Sequence, residues 1–352
     1  MELKKRIAAF VSLGNFLAEI NSDRNNAEKD SRWDAVLQKS TAENGWFTPE
    51  NIYFAIESWS EALTAEKLNR WVGKYNLENI SELKPQQVKT VAIVMAGNVP
   101  LVGFHDFISV LITGNKVLAK LSSNDKTLMP FLAEYLISRE PDFKDYIQFT
   151  DEKLEGFDAV IATGSNNTSR YFDYYFGKYP HIIRKNRNSI AVLTGNETKE
   201  ELIALADDIF RYFGLGCRNV SKLYVPENYD FELFFNAMYS WKDIIHNHKY
   251  INNYDYNKAV YLMDSFPLLD NEFMLLKEDS GLSSPISIVY YEKYKSLSQL
   301  RNTLLSQEDQ IQCLVSNIES LNALPFGTTQ KPDLWEYADS VDTIDFLIKL
   351  SQ

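Results

Sequence analysis

Residues 88–97 form a nearly continuous apolar run that ends in glycine. A strand takes this form when both of its faces are covered, so the run commits the chain to a parallel sheet with helices packed on either side. A helix at about 101–113 follows and stops at Gly114-Asn115, and residues 116–122 supply the next strand. The alternation continues through a helix near 127–138, a strand at 158–163 and a helix opening after Gly164-Ser165. Beyond it come a strand at 189–195, a helix at 199–213, a strand at 222–226, a helix at 231–245, and strands at 285–291 and 312–317. Such alternation predicts doubly wound parallel sheets. Ahead of the first strand, Ile7, Phe10, Val11, Phe16, Leu17 and Ile20 recur at helical spacing. Thr48-Pro49-Glu50 opens a further helix with proline at its first position, so the chain up to about residue 90 is predicted to be helical.

With 352 residues, 45% of them hydrophobic, the chain can bury more than one core, and a second lobe is expected to begin near residue 195. No apolar stretch is long and uninterrupted enough to span a bilayer, and the N-terminus continues as an amphipathic helix without a signal core. Cys217 and Cys313 are too few and too far apart for a disulfide framework, which fits a cytoplasmic protein. A net charge of −12 argues against nucleic acid as a partner. The basic run Arg184-Lys185-Asn186-Arg187 is expected to be a solvated loop, and His246 and His248 surface polar residues, so no metal site is predicted. The aromatic run Tyr171-Phe172-Asp173-Tyr174-Tyr175-Phe176 is expected to pack, with a lipid-facing role as the other reading.

Cys217 lies between Gly216 and Arg218 just past a helix, where glycine leaves room for a substrate and a cation favours the thiolate. Local sequence alone also allows a buried, inert thiol, and Cys313 within an apolar strand fits that description better still. Gly97-Asn98-Val99-Pro100 ends the first strong strand, where open α/β sheets collect ligands. Asn98 there is either an oxyanion donor or a helix cap. Gly164-Ser165 has the same position after its own strand, facing a pyrophosphate or merely capping a helix. Neither Gly-x-Gly-x-x-Gly, nor a Walker loop, nor a Gly-x-Ser-x-Gly elbow occurs.

Taken in order, these segments resemble the aldehyde dehydrogenase superfamily over about residues 88–330. Val94-Met95-Ala96-Gly97-Asn98-Val99-Pro100 is similar to the segment carrying the superfamily's oxyanion asparagine, and the strand ending Ala119-Lys120-Leu121-Ser122-Ser123 to its cofactor strand. Ala162-Thr163-Gly164-Ser165 resembles the turn beside the cofactor phosphates, and Phe213-Gly214-Leu215-Gly216-Cys217 the nucleophile segment. Pro325-Phe326-Gly327 matches a late signature. Within the superfamily, the stretch from Arg211 through Cys217-Arg218-Asn219 to Ser221 is closest to the bacterial fatty acyl-CoA reductases, which include the reductase supplying aldehyde for bioluminescence. Phe326-Gly327-Thr328-Thr329-Gln330 and Asp342-Thr343-Ile344-Asp345-Phe346-Leu347 point the same way.

The resemblance implies two doubly wound α/β lobes with a helical N-terminal segment: residues 1–195 with a Rossmann-like cofactor domain, 196–325 as the catalytic domain, and 326–352 returning to the first lobe. It implies NADPH-dependent reduction of a long-chain acyl-CoA to an aldehyde through an acyl-cysteine on Cys217, with Asn98 as oxyanion donor. Lys120, Ser123, Thr163, Gly164 and Ser165 would bind the cofactor, and Glu278, with Asp279 as competitor, would hold the nicotinamide ribose. Aldehyde-oxidising members carry a general-base glutamate where this chain reads Ile183-Arg184-Lys185-Asn186-Arg187-Asn188-Ser189; without that carboxylate the thioester should persist long enough to be reduced. Neutral Ser123 stands where NAD-preferring relatives place a carboxylate, which favours NADP. The alternatives are reduction of an acyl phosphate or small acyl-CoA, and a non-catalytic α/β binding module whose Cys217 is buried. A homo-oligomer or an acyl-transferring partner enzyme is compatible with either.

Overall fold

The apolar run condenses into the centre of a five-stranded parallel sheet. In the computed structural model, which describes residues 1–25, 31–75, 77, 87–164 and 166–351, β1 (Thr90–Val94) has its middle residues fully covered. It pairs in parallel with β2 (Lys116–Lys120) on one side and β4 (Ala159–Thr163) on the other. β3 (Ile147–Thr150) and β5 (His181–Arg184) complete the order β3-β2-β1-β4-β5. The order reverses between β1 and β4, so the crevice at their carboxyl ends is where such a sheet binds ligands. Residues 95–98 leave β1 there, and Gly164 leaves β4.

The crossover helices Phe104–Ile112 and Leu128–Arg139 share one core with the N-terminal helices Leu3–Ser22 and Pro49–Ala62, through Phe10, Leu13, Ile52, Phe104 and Phe107. Thr48 caps the second of these as its sequence predicts, its hydroxyl accepting the N–H of Asn51 at 3.3 Å. In helix Asn166–Phe176, Phe172 and Phe176 pack against the sheet, whereas Tyr171, Tyr174 and Tyr175 are exposed, so only the phenylalanines of that aromatic run behave as expected.

The second sheet runs β11-β6-β7-β10-β9-β8, with β6 (Asn188–Val192), β7 (Val220–Pro226), β8 (Leu268–Asp270), β9 (Leu275–Glu278), β10 (Ile288–Tyr294) and β11 (Ile311–Val315). Every pairing is parallel except the short edge pair β8–β9. Two compact units result, Met1–Lys185 with Asp333–Gln352, and Asn186–Pro332. A lobe boundary at residue 195 leaves the strand after residue 188 in the first lobe; that strand belongs to the second, because β6 hydrogen-bonds to β7 and β11. No helix among the described residues is long and apolar enough to cross a membrane.

Arg184, expected in a solvated loop, is instead buried at the end of β5. Its two terminal nitrogens grip both carboxylate oxygens of Asp106 at 2.5 and 2.7 Å, and Nη2 also reaches the Thr343 hydroxyl at 3.1 Å. This fastens the C-terminal helix Thr343–Ser351 within the first unit. Asp106→Leu removes the carboxylate opposite a buried guanidinium and should lower the unfolding free energy by about 3–5 kcal/mol in urea titration, while adding Arg184→Met should recover much of that loss.

Candidate active site

Helix Lys199–Phe210 opens with a capping box, Thr198 accepting from the Glu201 N–H and the Glu201 carboxylate accepting from the Thr198 N–H. Past its end the chain runs through three consecutive left-handed residues, Tyr212 (φ 54°), Phe213 (φ 59°) and Gly214 (φ 75°). Such a conformation costs about 1–3 kcal/mol at a non-glycine residue and persists only where the surroundings over-determine it. Here both rings are buried, and Phe213 lies 6.1 Å from the Tyr250 ring.

Asn219 then fixes the loop. Its Nδ2 donates to the carbonyls of Asp208, Ile209 and Arg211 at 3.1, 3.3 and 2.8 Å, closing the orphaned end of the helix, and its Oδ1 accepts the Gly216 N–H at 2.8 Å. Ser189 Oγ donates to the Cys217 carbonyl at 2.9 Å, and Arg218 Nη1 to the Thr329 carbonyl at 3.2 Å. Held in this frame, Cys217 is exposed and outside any disulfide. The buried thiol expected of a non-catalytic module is the situation of Cys313, which is 5% exposed in β11.

In the same unit the structure separates Glu278 from its competitor. Asp279 is fully engaged: its carboxylate takes the Lys277 ammonium and the Gly281 N–H (2.8 Å), and its carbonyl takes the Lys222 ammonium. These contacts, the Lys277 pair first, hold the Asp279 carboxyl below the usual range. Lys222 is itself fully buried, its ammonium 3.0 Å from Glu292 Oε2, and burial lowers its pKa. Lys277 lies 4.5–5.3 Å from the ring centres of Tyr261, Phe266 and Tyr290. Glu278 is exposed at the end of β9, with the Tyr291 hydroxyl at 3.5 Å. The register sets Glu278 level with Leu223 across Tyr291, whereas Cys217 precedes β7. A cleft of about 470 Å³ lined by Thr194, Glu197, Tyr229 and Tyr294 lies at the opposite end of β7 from Cys217.

The first unit carries the remaining candidates on the carboxyl edge of its sheet. Gly97 passes so close to Ser122 that a Cβ would meet its Oγ at 2.4 Å, and the Gly97 carbonyl accepts Asn44 Nδ2 at 3.0 Å. Asn98 follows in the turn, and Leu101 beyond it has φ 59°. Asp125 is buried beneath, its carboxyl pushed up to about 6 by desolvation while the N–H groups of Leu128, Leu101 and Thr127 pull it back. Lys120 Nζ donates to the Glu152 carbonyl at 3.0 Å and Ser123 is exposed. Thr163 ends β4, and a Cβ on Gly164 would come within 2.9–3.0 Å of Phe172 and Thr168. Ser165 lies outside the described residues. His246 and His248 are both exposed.

The family profile described as Acyl-CoA reductase (LuxC) matches residues 29–238, a span that includes both the Asn98 turn and the Cys217 loop. The chain belongs to this family. Among solved structures, this acyl-CoA reductase is similar to the indole-3-acetaldehyde dehydrogenase AldA of P. syringae, solved with NAD+ and IAA, at 13% identity and TM-score 0.63 over 91% of this chain and 73% of that one. It is also similar to an NADP-dependent enzyme of E. coli (12% identity, TM-score 0.63, 93% and 77% covered) and to the aldehyde dehydrogenase KauB of Pseudomonas aeruginosa (14%, 0.62, 92% and 74%). Identities this low establish the aldehyde dehydrogenase-like fold. No curated protein sequence matches the chain.

Asn219 sits inside the segment that carries the family resemblance, yet nothing local marks it as the latch. Its sole sequence signal is a buried-sized amide two residues after the cysteine. Asn219→Ala strands three carbonyls and the Gly216 N–H, so it should lower the unfolding free energy by about 2 kcal/mol or more and slow iodoacetamide alkylation of Cys217 at constant pH. Unchanged alkylation in a folded variant would show that the latch does not govern the thiol.

Proposed function

We propose that this acyl-CoA reductase converts a long-chain acyl-CoA to the aldehyde with NADPH, through a thioester on Cys217. The observation that carries the reading is the exposure of Cys217 on a loop whose flanking residues are hydrogen-bonded in place. The Cys217 thiolate attacks the acyl carbonyl, the carbonyl π electrons moving to oxygen; collapse expels the CoA thiolate and leaves the acyl group on Sγ. Asn98 is assigned as a donor to that oxyanion on the resemblance of its segment, together with the Cys217 N–H. When bound, the reduced nicotinamide supplies the hydride that takes the thioester to the aldehyde oxidation level, regenerating the thiolate.

The residues of the first unit fit such a cofactor. The strand order reverses between β1 and β4, Gly164 keeps the end of β4 free of a Cβ that would crowd Phe172 and Thr168, and the exposed Ser123 offers no charge against a 2′-phosphate that Lys120 would attract. Thr163, at the end of β4, and Ser165 are assigned to the cofactor on the resemblance of their segment, and Glu278 is the carboxylate assigned to the ribose. Arg184, committed to Asp106, occupies the segment where a hydrolytic base stands in oxidising relatives, which favours a thioester that survives to be reduced.

Mass spectrometry after incubation with tetradecanoyl-CoA and no cofactor should find one acyl group on Cys217. Cys217→Ala should abolish both acylation and turnover while still binding NADPH, and Asn98→Ala should slow turnover on the order of a hundred-fold. Turnover by Cys217→Ala would end the reading. Comparing acetyl-, decanoyl- and tetradecanoyl-CoA fixes the chain length. For the cofactor, Ser123→Glu at low salt should raise the KM for NADPH far more than that for NADH. A wild-type preference for NADH would overturn the choice of NADP.

A further inference from the structure

Cys217 is anchored on both sides, and both anchors converge on a single buried residue of the preceding helix. On one side, the Gly216 N–H is held by Asn219, whose Nδ2 donates to the main-chain carbonyl of Asp208 at 3.1 Å. On the other, Arg218 donates to the carbonyl of Thr329, and the turn that carries Thr329 is held by the Asp208 side chain. Asp208 Oδ2 accepts the Gly327 N–H at 2.6 Å, and Oδ1 accepts the Thr329 N–H at 3.0 Å and its hydroxyl at 2.7 Å.

The turn is shaped to reach that carboxylate. Gly327 has φ 80°, and a Cβ there would lie 2.9 Å from Ala204 Cβ, one helical turn before Asp208 on the same face. Gln330 Nε2 adds a bond to the Thr329 hydroxyl at 3.1 Å. Asp208 has no solvent exposure. Three donors converge on it, and a carboxylate is the side chain of this size that presents acceptors alone; an amide would turn hydrogens toward one of them.

We propose that Asp208 is a positioning residue for the nucleophile, setting the Gly327–Thr329 turn that holds Arg218 and, through its carbonyl, the Asn219 latch that holds Gly216. The late Phe326-Gly327-Thr328-Thr329-Gln330 segment thereby becomes part of the machinery that orients Cys217. This role rests on Cys217 being the nucleophile, so its test includes a reaction that needs no acyl-CoA.

Asp208→Asn keeps the shape and sets an NH2 against the turn's donors. Displacement of a reacting group by about 1 Å costs on the order of a hundred-fold. Asp208→Asn should therefore lower single-turnover acylation of Cys217 by about ten- to a hundred-fold. The KM for acyl-CoA should change less than about threefold, and the pH midpoint of iodoacetamide alkylation of Cys217 should move. Thr329→Val removes one of the three donors and should give the same changes at smaller amplitude; it becomes the deciding variant if Asp208→Asn does not fold. Arg218→Gln in either background should add little, since the route it serves is already broken. Acylation and alkylation like wild type in a folded Asp208→Asn, or in Thr329→Val where the first does not fold, would overturn the proposal. Failure of the wild type itself to acylate would instead count against the proposed function, leaving the alkylation comparison to decide the role of Asp208.

Discussion

A fully buried carboxylate whose hydrogen bonds among the described residues come from three neutral donors is an expensive object, and the unit Asn186–Pro332 is organised around one. Burial pushes the Asp208 carboxyl up to about 6, above its unfolded value, while the bonds from Gly327 and Thr329 pull it down. Because the folded state holds this proton more tightly than the unfolded chain, it gives up stability as pH rises from the ordinary carboxylate range through about 6, and the charge present at neutral pH is retained against that loss. What it secures is geometric, because one residue serves both anchors: its carboxylate holds a turn more than a hundred residues later, and its main-chain carbonyl takes the Asn219 amide that closes the helix end beside the cysteine loop.

The first unit solves its own problem by other means. The carboxyl edge of its sheet owes its form to strand order rather than to any glycine-rich signature, and it is shaped by close approach: Gly97 against Ser122, and Gly164 against Phe172 and Thr168. The Arg184–Asp106–Thr343 contact then fixes the C-terminal helix to this unit, although the intervening segment, residues 186–332, folds as the other one. The chain thus leaves a unit and returns to it, which is why a boundary drawn along the sequence misplaces β6.

What sequence could reveal depended on whether the deciding contact was local. The runs that became β1, β2, β4 and β7, and the capped helices Pro49–Ala62 and Lys199–Phe210, were legible because burial on both faces and cap chemistry act within a few residues. β3, β8 and β9 were not: the first two are edge strands of three or four residues with partly exposed patterns, and β9 carries Lys277, whose charge hides a buried strand. Among the candidate site residues, the segments bearing Cys217, Asn98, Lys120 and Gly164 were marked by their own residues. The long-range contacts were not: Asp208, beneath the turn that takes Arg218, meets Thr329 across 121 positions, and Arg184 meets Asp106 across 78. Arg184 defeats a local reading for the same reason: a charge beside other charges looks solvated until its distant partner is known.

The left-handed passage at Tyr212, Phe213 and Gly214 bears on how this protein would respond to selection for heat resistance. Two aromatic residues there hold a backbone conformation that glycine would adopt at no steric cost. Their rings are what lock the loop, so relieving the strain means emptying the space they fill. Gains in thermal tolerance should therefore come easily on the exposed faces of the helices and be refused at this turn, where a more comfortable chain would be a less accurate one.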